Sequence, residues 1–343
     1  MAELSENLAL QYIKQQIPSW NEVTSETSIF TLLTGTSNKV YKVQSSLLIT
    51  PQIIIFRVFG PNEITDKVRE RRIFNALSTQ NLSAKNLSET ETWRLEEFLE
   101  NYLPMTTPDY FSSDNIRQIS QKFKAFHSLD MTNIVDIDEN ILEKNIAKWR
   151  IIGKNKLSLL KNQDSINTLN ELLNDETWDK CQNLIPRTSP IVFCHLDPNS
   201  YNLIYNRNLQ DFFLIDYEFS GYCYRAIDFS LMFTEIKFDF EVQEPPYFKY
   251  YPEKQVSDEI IKRYVLEYGE GAEMWIEIKM LLILSQYLWA VWDLAMWNDQ
   301  KTGFDYIENA IVRFREFIKD YEEFVNKGGR DFLVEVSKKL FGI

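Results

Sequence analysis

Residues 193–229, FCHLDPNSYNLIYNRNLQDFFLIDYEFSGYCYRAIDF, constrain what this chain can fold into more than any other stretch. A β-strand leads into a loop carrying His195, Asp197 and Asn202, and a short hairpin follows. Asp216 and Glu218 come directly after the second apolar run, DFFLI. That run is a strand which sets Asp216 at its C-terminal edge, close to the loop holding Asp197 and Asn202. Taken alone, the His-x-Asp-x-x-x-x-Asn spacing also arises in surface loops by chance, and His195 reads equally as a satisfied structural histidine. The agreement of spacing with strand context favours a functional site.

An acid, an amide five residues later and a second acid at a strand end are the groups that phosphoryl transfer uses. In this reading Asp197 orients and deprotonates an acceptor alcohol. Asn202 and Asp216 ligate Mg²⁺, a hard cation that prefers oxygen ligands, and His195 braces the loop.

Bulk properties narrow the alternatives. A chain of 343 residues suits two lobes rather than one small core. Its 44% hydrophobic and 25% charged residues are ordinary globular composition, which argues against extensive disorder. The net charge of −13 argues against nucleic acid or an anionic membrane as partner. It is compatible with a cationic substrate, although an acidic surface also serves solubility. Cys181, Cys194 and Cys223 lack metal-ligand spacing, and their odd number fits a reducing compartment. The N-terminal MAELSENLALQYIKQQIP reads as an amphipathic helix without the basic start and apolar block of a signal peptide, so a cytoplasmic location is expected. MLLILSQYLWAVWDLAMW, residues 280–297, approaches membrane-spanning length, but Ser285, Gln286 and Asp293 interrupt it. A buried helix of a large lobe is expected there, with no membrane insertion.

Along the chain, Ser28–Thr34, Lys39–Val43, Ile53–Phe59 and Trp93–Leu99 read as strands, with a helix over Asn62–Leu77. Helical patterns then dominate: Asp114–Leu129, Asn140–Trp149, Ile166–Leu173, Ala226–Lys237, Val256–Tyr268, Ala272–Asn298, Phe304–Val325 and Asp331–Leu340. The expected organisation is an α+β fold with a small antiparallel-sheet lobe over residues 1–99. A proline-bearing hinge over 100–109 and a large, mainly helical lobe over 110–343 complete it.

Three further constellations have two readings each. LLTGTSNKVYKV has one glycine at a strand–turn–strand junction, where Ser37 and Asn38 offer donors to phosphate, yet an ordinary hairpin turn explains it as well. IIIFRVFG sets Arg57 inside an apolar strand, where a cation needs an anionic partner; Glu70 on the next helix is the candidate, with nucleotide phosphate a second. Trp289 and Trp292 share a helix face, and Glu218, Glu235, Phe240, Phe304 and Tyr306 come from neighbouring segments. Acids and aromatic faces together bind ammonium groups, each cation–π contact contributing about 0.5–2 kcal/mol. Spacing alone favours core packing for the two tryptophans.

At these residues the chain resembles the choline/ethanolamine kinase family, relatives of the aminoglycoside phosphotransferases with a protein-kinase-like bilobal fold. FCHLDPNSYNLIYN resembles the catalytic-loop motif of that superfamily, and LIDYEFSGYCYRAIDFSLMFTE the more specific motif that follows it. YYPEKQVSDEIIKRYVLEY and LWAVWDLAMWNDQKTGFDYIENAIVRFREF resemble two stretches typical of this family and not of its wider relatives. LTGTSNKVYKV, IIIFRVFG and WRLEEFL resemble its ATP loop, phosphate-binding arginine strand and hinge.

The resemblance implies that Asp197 is the base and that Asn202 and Asp216 hold Mg²⁺. For ATP it implies the loop Gly35, Thr36, Ser37, Asn38 and Lys39, then Arg57 with Glu70 beside it, the hinge Glu97, Phe98 and Leu99, and Asn199. Glu218, Glu235, Phe240, Trp289, Trp292, Phe304 and Tyr306 would form or border the ammonium pocket, which reverses the core reading of the tryptophans. His195, Arg225 and Asp228 would support the catalytic loop. The implied reaction moves the γ-phosphoryl of ATP to choline or ethanolamine, for phospholipid synthesis. Choline comes first because the aromatic residues suit a trimethylammonium face. Relatives are often dimers, which makes a homodimer one option, while the sequence itself leaves the oligomeric state open. The alternatives are an ethanolamine-preferring kinase, another amino-alcohol or aminoglycoside phosphotransferase, and an inactive member acting as a binding protein. Leu196, Pro198, Leu231, Met232 and Asn309 depart from the family's usual residues; none removes a phosphoryl-transfer group, and all bear on the choice between choline and ethanolamine.

Overall fold

The computed structural model describes residues 5–33, 38–60, 64–298 and 303–343. The chain separates into two compact units: residues 1–102 with 205–218, and residues 103–204 with 219–343. A contiguous division was expected. Instead the strand–turn–strand segment before Glu218 groups with the N-terminal unit.

In the first unit, α1 (Glu6–Gln16) precedes β1 (Ser28–Leu33), β2 (Asn38–Ser45), β3 (Ile53–Phe59), α2 (Lys67–Thr79), β4 (Asn86–Glu89) and β5 (Trp93–Glu97). The strands form one antiparallel sheet in the order β1-β2-β3-β5-β4. Register decides which side chains share a face, because opposite residues in an antiparallel pair point the same way. Phe56 pairs with Leu95 and turns inward with Ile54, Val43 and Trp93 to meet Leu10 and Ile13 of α1. Arg57 pairs with Arg94, so both guanidinium groups lie on the opposite face, where Glu96 also points. The helix expected from Asn62 begins at Lys67, where the Asp66 side chain accepts from the Arg69 N–H at 3.0 Å and caps the first turn. The strand expected to reach Leu99 ends at Glu97.

The second unit opens with the two-residue β6 (Leu103–Pro104), followed by α3 (Ser113–His127), α4 (Ile141–Lys156), α5 (Gln163–Leu173) and α6 (Asp175–Gln182). β7 (Ile191–Cys194) comes next, and β8 (Leu203–Asn206) and β9 (Asp211–Leu214) are neighbouring strands. β10 (Gly221–Tyr224), α7 (Ile227–Glu235), β11 (Phe238–Asp239), β12 (Lys249–Tyr250), α8 (Asp258–Tyr268), α9 (Ala272–Met296), α10 (Tyr306–Asn326) and α11 (Gly329–Phe341) complete the chain. Sequence periodicity misses α6, which is short and polar, and β10, whose four residues are all buried and show no alternation.

α9 is the spine of this unit. It is apolar on all sides and packs against α4, α7, α10 and α11, as an all-round hydrophobic helix must. It is long and apolar enough to cross a membrane, yet 89% of its most apolar window is buried inside the protein, in line with the expected core helix.

Candidate active site

The antiparallel pair β7–β10, with Cys194 opposite Gly221, presents the loop that starts at His195. Leu196 holds a φ of 63°, a left-handed conformation uncommon for a branched side chain and worth reading as a functional signal. That turn aims two successive N–H groups at one carboxylate: His195 N donates to Asp228 Oδ2 and Leu196 N to Oδ1, both at 2.8 Å. His127 Nε2 meets the same Oδ2 at 3.0 Å, and its Nδ1 meets the Tyr268 hydroxyl at 2.9 Å. Burial raises the Asp228 pKa, but hydrogen bonds and charge from His127 and the loop outweigh it and hold the carboxyl below its ordinary range. Asp228 therefore holds the loop directly through the His195 and Leu196 N–H groups and is itself held by His127, which sequence reasoning did not single out. His195 supports from within, since its Nδ1 accepts from Asp197 N at 3.3 Å.

Asp197 is held by two amides. Asn202 Nδ2 donates to its Oδ2 at 2.8 Å and to its backbone oxygen at 3.0 Å, and Asn199 Nδ2 donates to its Oδ1 at 2.8 Å. Asn199 Oδ1 accepts in turn from Tyr201 N and Asn202 N, at 2.9 and 3.1 Å, which closes the loop on itself. Asn199, expected at the nucleotide, is thus committed to Asp197 and to the turn. With the Asn202 nitrogen engaged, its carbonyl oxygen is the atom suited to a hard cation.

In the first unit Asp216 also has a left-handed φ, 65°, and its Oδ2 accepts from Arg57 Nη1 at 3.2 Å. Its side chain keeps 26% exposure. A partly exposed carboxylate and an amide oxygen are donors of the kind Mg²⁺ takes. Arg57 differs from expectation in its partner: its Nε donates to Glu96 Oε1 at 2.7 Å. Glu70 instead receives both terminal nitrogens of Arg94, at 3.1 and 2.8 Å, while Arg94 Nε reaches Glu96 Oε1 at 2.9 Å. The cause is register, because the strand pairing sets Arg57 against Arg94 and the carboxylate between two cations is the neighbour on β5. Burial raises the Glu96 pKa, and the two arginines more than reverse it, so the carboxyl titrates below its usual range. Charges at positions 94 and 96 of a buried strand were the sequence signal for this network.

Lys67 is a second residue that sequence reading passes over. Its Nζ donates to Asn38 Oδ1 at 2.9 Å and to Glu218 Oε2 at 3.2 Å, and Asn38 Oδ1 also accepts from Gly60 N at 3.2 Å. Gly35, Thr36 and Ser37 lie outside the described residues, and Lys39 is exposed on β2. Glu97 closes β5, its N–H donating to Lys85 oxygen at 2.9 Å; Phe98 and Leu99 follow outside the sheet, with Lys42 Nζ 4.8 Å from the Phe98 ring centre.

The aromatic residues of the second unit do assemble. Trp289 and Trp292 meet edge-on at 5.6 Å, Trp292 lies 6.0 Å from Tyr306, Tyr306 4.8 Å from Phe304, and Phe304 6.0 Å from Phe240. Phe219 closes the other end, 5.9 Å from Trp289. Glu235 is not a bare counter-charge for this cluster: Arg313 Nη2 donates to it at 3.1 Å. Glu218, paired with Lys67 in the first unit, is likewise compensated, as buried carboxylates generally are. Arg225 also departs from expectation. It leaves the end of β10 to meet Glu270 at 2.6 Å and Glu277 at 3.3 Å, anchoring that strand to α9 and its preceding turn rather than bracing the catalytic loop.

Cys181, Cys194 and Cys223 are all buried, and burial pushes each thiol pKa up.

One acid here titrates abnormally. Burial pushes the Asp293 carboxyl up to about 8, with Glu235 adding to the shift while Arg313 and Asn309 oppose it. A carboxyl with a raised folded pKa favours the folded state below its unfolded value of 3.8, and that contribution is lost as pH rises towards 8. Between those limits stability should fall with pH by up to about 1.4 kcal/mol per unit on this account. Urea denaturation of wild type and Asp293→Asn at pH 5.5 and 7.5 checks it. Wild type should lose more stability over that interval than the variant, and identical slopes would remove Asp293 as the cause.

A model of the choline/ethanolamine kinase family matches residues 29–318. Ethanolamine kinase 1 of Mus musculus is 23% identical over 337 residues, covering 91% of this chain and 88% of its own. The choline/ethanolamine kinase of Homo sapiens is 22% identical over 349 residues, covering 92% and 86%. Among solved structures, choline kinase from Cryptosporidium parvum aligns with a TM-score of 0.78 at 21% identity, over 98% of this chain and 100% of that one. The fold is therefore protein-kinase-like and bilobal, with its antiparallel sheet in the N-terminal lobe and a mainly helical C-terminal lobe.

Proposed function

The chain belongs to the choline/ethanolamine kinase family and is a kinase, and from this we propose that it transfers the γ-phosphoryl group of ATP to the hydroxyl of choline or ethanolamine, using Mg²⁺. The observation that carries this reading is the Asp197 carboxylate fixed through both oxygens by Asn199 and Asn202. Each carboxylate oxygen has a second lone pair, so Asp197 remains able to accept the proton of an alcohol aligned with it. Two amides holding a base in one orientation supply the positioning on which phosphoryl transfer depends.

Asn202 through its carbonyl oxygen and Asp216 through its carboxylate would hold the metal. When bound, Mg²⁺ neutralises charge on the phosphate oxygens. Arg57, fixed in direction by Glu96, presents its remaining guanidinium edge to Asp216 and to phosphate. The ring cluster from Trp289 to Phe240 supplies the faces for an ammonium ion, which is attracted by aromatic quadrupoles in water-poor surroundings. A product carrying phosphate on an amino alcohol suits phospholipid synthesis.

The test is ATP consumption by the full chain with choline, ethanolamine or no acceptor, each with Mg²⁺ or with EDTA. Turnover should require an acceptor and the metal. ATP consumption that is the same with and without both amino alcohols would reject the proposal.

A further inference from the structure

Glu235 and Glu218, the acids that sequence reading sets against an ammonium ion, are occupied by Arg313 and Lys67. A different set of polar groups lies at the aromatic wall. Trp289, Trp292 and Asp293 follow one another on α9, and Tyr306 and Asn309 sit in the opening turns of α10. The two stretches face each other, since the Trp292 and Tyr306 rings are 6.0 Å apart and Asn309 Nδ2 donates to Asp293 Oδ2 at 2.8 Å.

Asp293 and Asn309 are 1% and 2% exposed. Among the described residues, the buried polar atoms around this patch without a hydrogen-bond partner include Asp293 Oδ1, Asn309 Oδ1 and the indole nitrogens of Trp289 and Trp292, together with Glu235 Oε1 and Arg313 Nε behind them. Buried polar groups are nearly always paired, so a cluster of exceptions calls for an explanation. Charge points the same way. Arg313 is balanced by Glu235, and its Nε stands 3.7 Å from Asp293, too long for a hydrogen bond. Burial keeps Asp293 protonated in the absence of substrate, and a cation beside it favours the ionised form, so that the two charges cancel.

We propose that Asp293, with Asn309 beside it, is a specificity-determining residue that accepts N–H bonds from a primary ammonium group, so that the site selects ethanolamine-type over quaternary amino alcohols. This rests on the reading that the aromatic cluster holds the amino alcohol. Aromatic faces attract either cation and do not count N–H groups. Carbonyl-type acceptors do: a primary ammonium has donors for both free oxygens, whereas a trimethylammonium has none and would leave both unpaired. A site built to bond an N–H rejects the analogue lacking it far more strongly than an apolar pocket rejects an extra methyl. Since Asp293 is buried, the ammonium group reaches it by shifting Trp292 or Tyr306, the rings beside it.

The experiment measures kcat/KM for ethanolamine, its N-methyl and N,N-dimethyl derivatives and choline, on the full chain with ATP. It compares wild type, Asp293→Asn and Asn309→Ala. In wild type the value should fall stepwise as methyl replaces N–H, by about 100-fold or more in total. That span should shrink at least about 10-fold in Asp293→Asn and to a lesser degree in Asn309→Ala. Should Asp293→Asn fail to fold, Asn309→Ala decides. Choline used as well as ethanolamine by wild type overturns the inference alone. So do variants that lower all four substrates equally, which would make buried water the missing partner. Phosphorylation of none of the four would overturn the proposed function along with it.

Discussion

Replacing Asp197 with asparagine is expected to lower acceptor-dependent turnover at least about 100-fold, the scale on which a general base acts. The substitution keeps the side-chain volume and removes the negative charge. Asn199 and Asn202 both donate to this side chain, and an asparagine there can accept through only one oxygen, so one donor loses its bond. Some of the loss is therefore positional. Two measurements separate the contributions: the thermal midpoint, which should move little because the loop remains tied to Asp228, and the KM for ATP, which should change less than kcat. Turnover in Asp197→Asn matching wild type would remove Asp197 from the chemistry, whatever the loop geometry.

Glu96→Ala should destabilise the protein by about 3–5 kcal/mol, the usual cost of leaving a buried charge without its partner. One Glu96 oxygen accepts from Arg57 and from Arg94, both buried. After its removal Arg94 keeps Glu70, and among the described residues Arg57 keeps its bond to Asp216 at 3.2 Å. The Arg94 guanidinium also lies 3.5 Å from the Phe74 ring centre, so it cannot move to solvent without giving up that stacking. Glu96→Gln should cost less, since an amide oxygen in the place of Oε1 can still accept both bonds and only the charge is lost. Urea denaturation reads the difference; a loss under about 1 kcal/mol in the alanine variant would place the network among weakly coupled surface pairs.

The contacts of the loop from Asp197 to Asn202 follow from the sequence because they are local. Asp197, Asn199 and Asn202 lie within six positions, and a loop that short brings them together whatever surrounds it. The buried charges were not legible in it, because their partners are remote along the chain: Arg57 and Glu96 are 39 residues apart, and His127 and Asp228 are 101 apart. Glu70 is closer to Arg57 along the chain and is the natural guess. Strand pairing overrules it, since the β3–β5 register decides which carboxylate stands between the two guanidinium groups. For the same reason Glu235 looked like a counter-ion for substrate: its neutralising arginine is 78 residues away on another helix. The aromatic wall was half legible. Helical spacing brings Trp289 to Trp292, but only the packing of α9 against α10 adds Tyr306 and uncovers Asp293. β10 was hidden because strands buried on both faces lose their alternation.

The three sulfhydryls have a practical consequence. All are enclosed, and with their ionisation suppressed they are poor nucleophiles. Maleimide dyes or nitroxide labels added to the native protein should find little to attack. A cysteine introduced on the surface of either unit would then carry the only reactive tag, so spin or fluorescence reporters can be installed without first stripping the wild-type thiols.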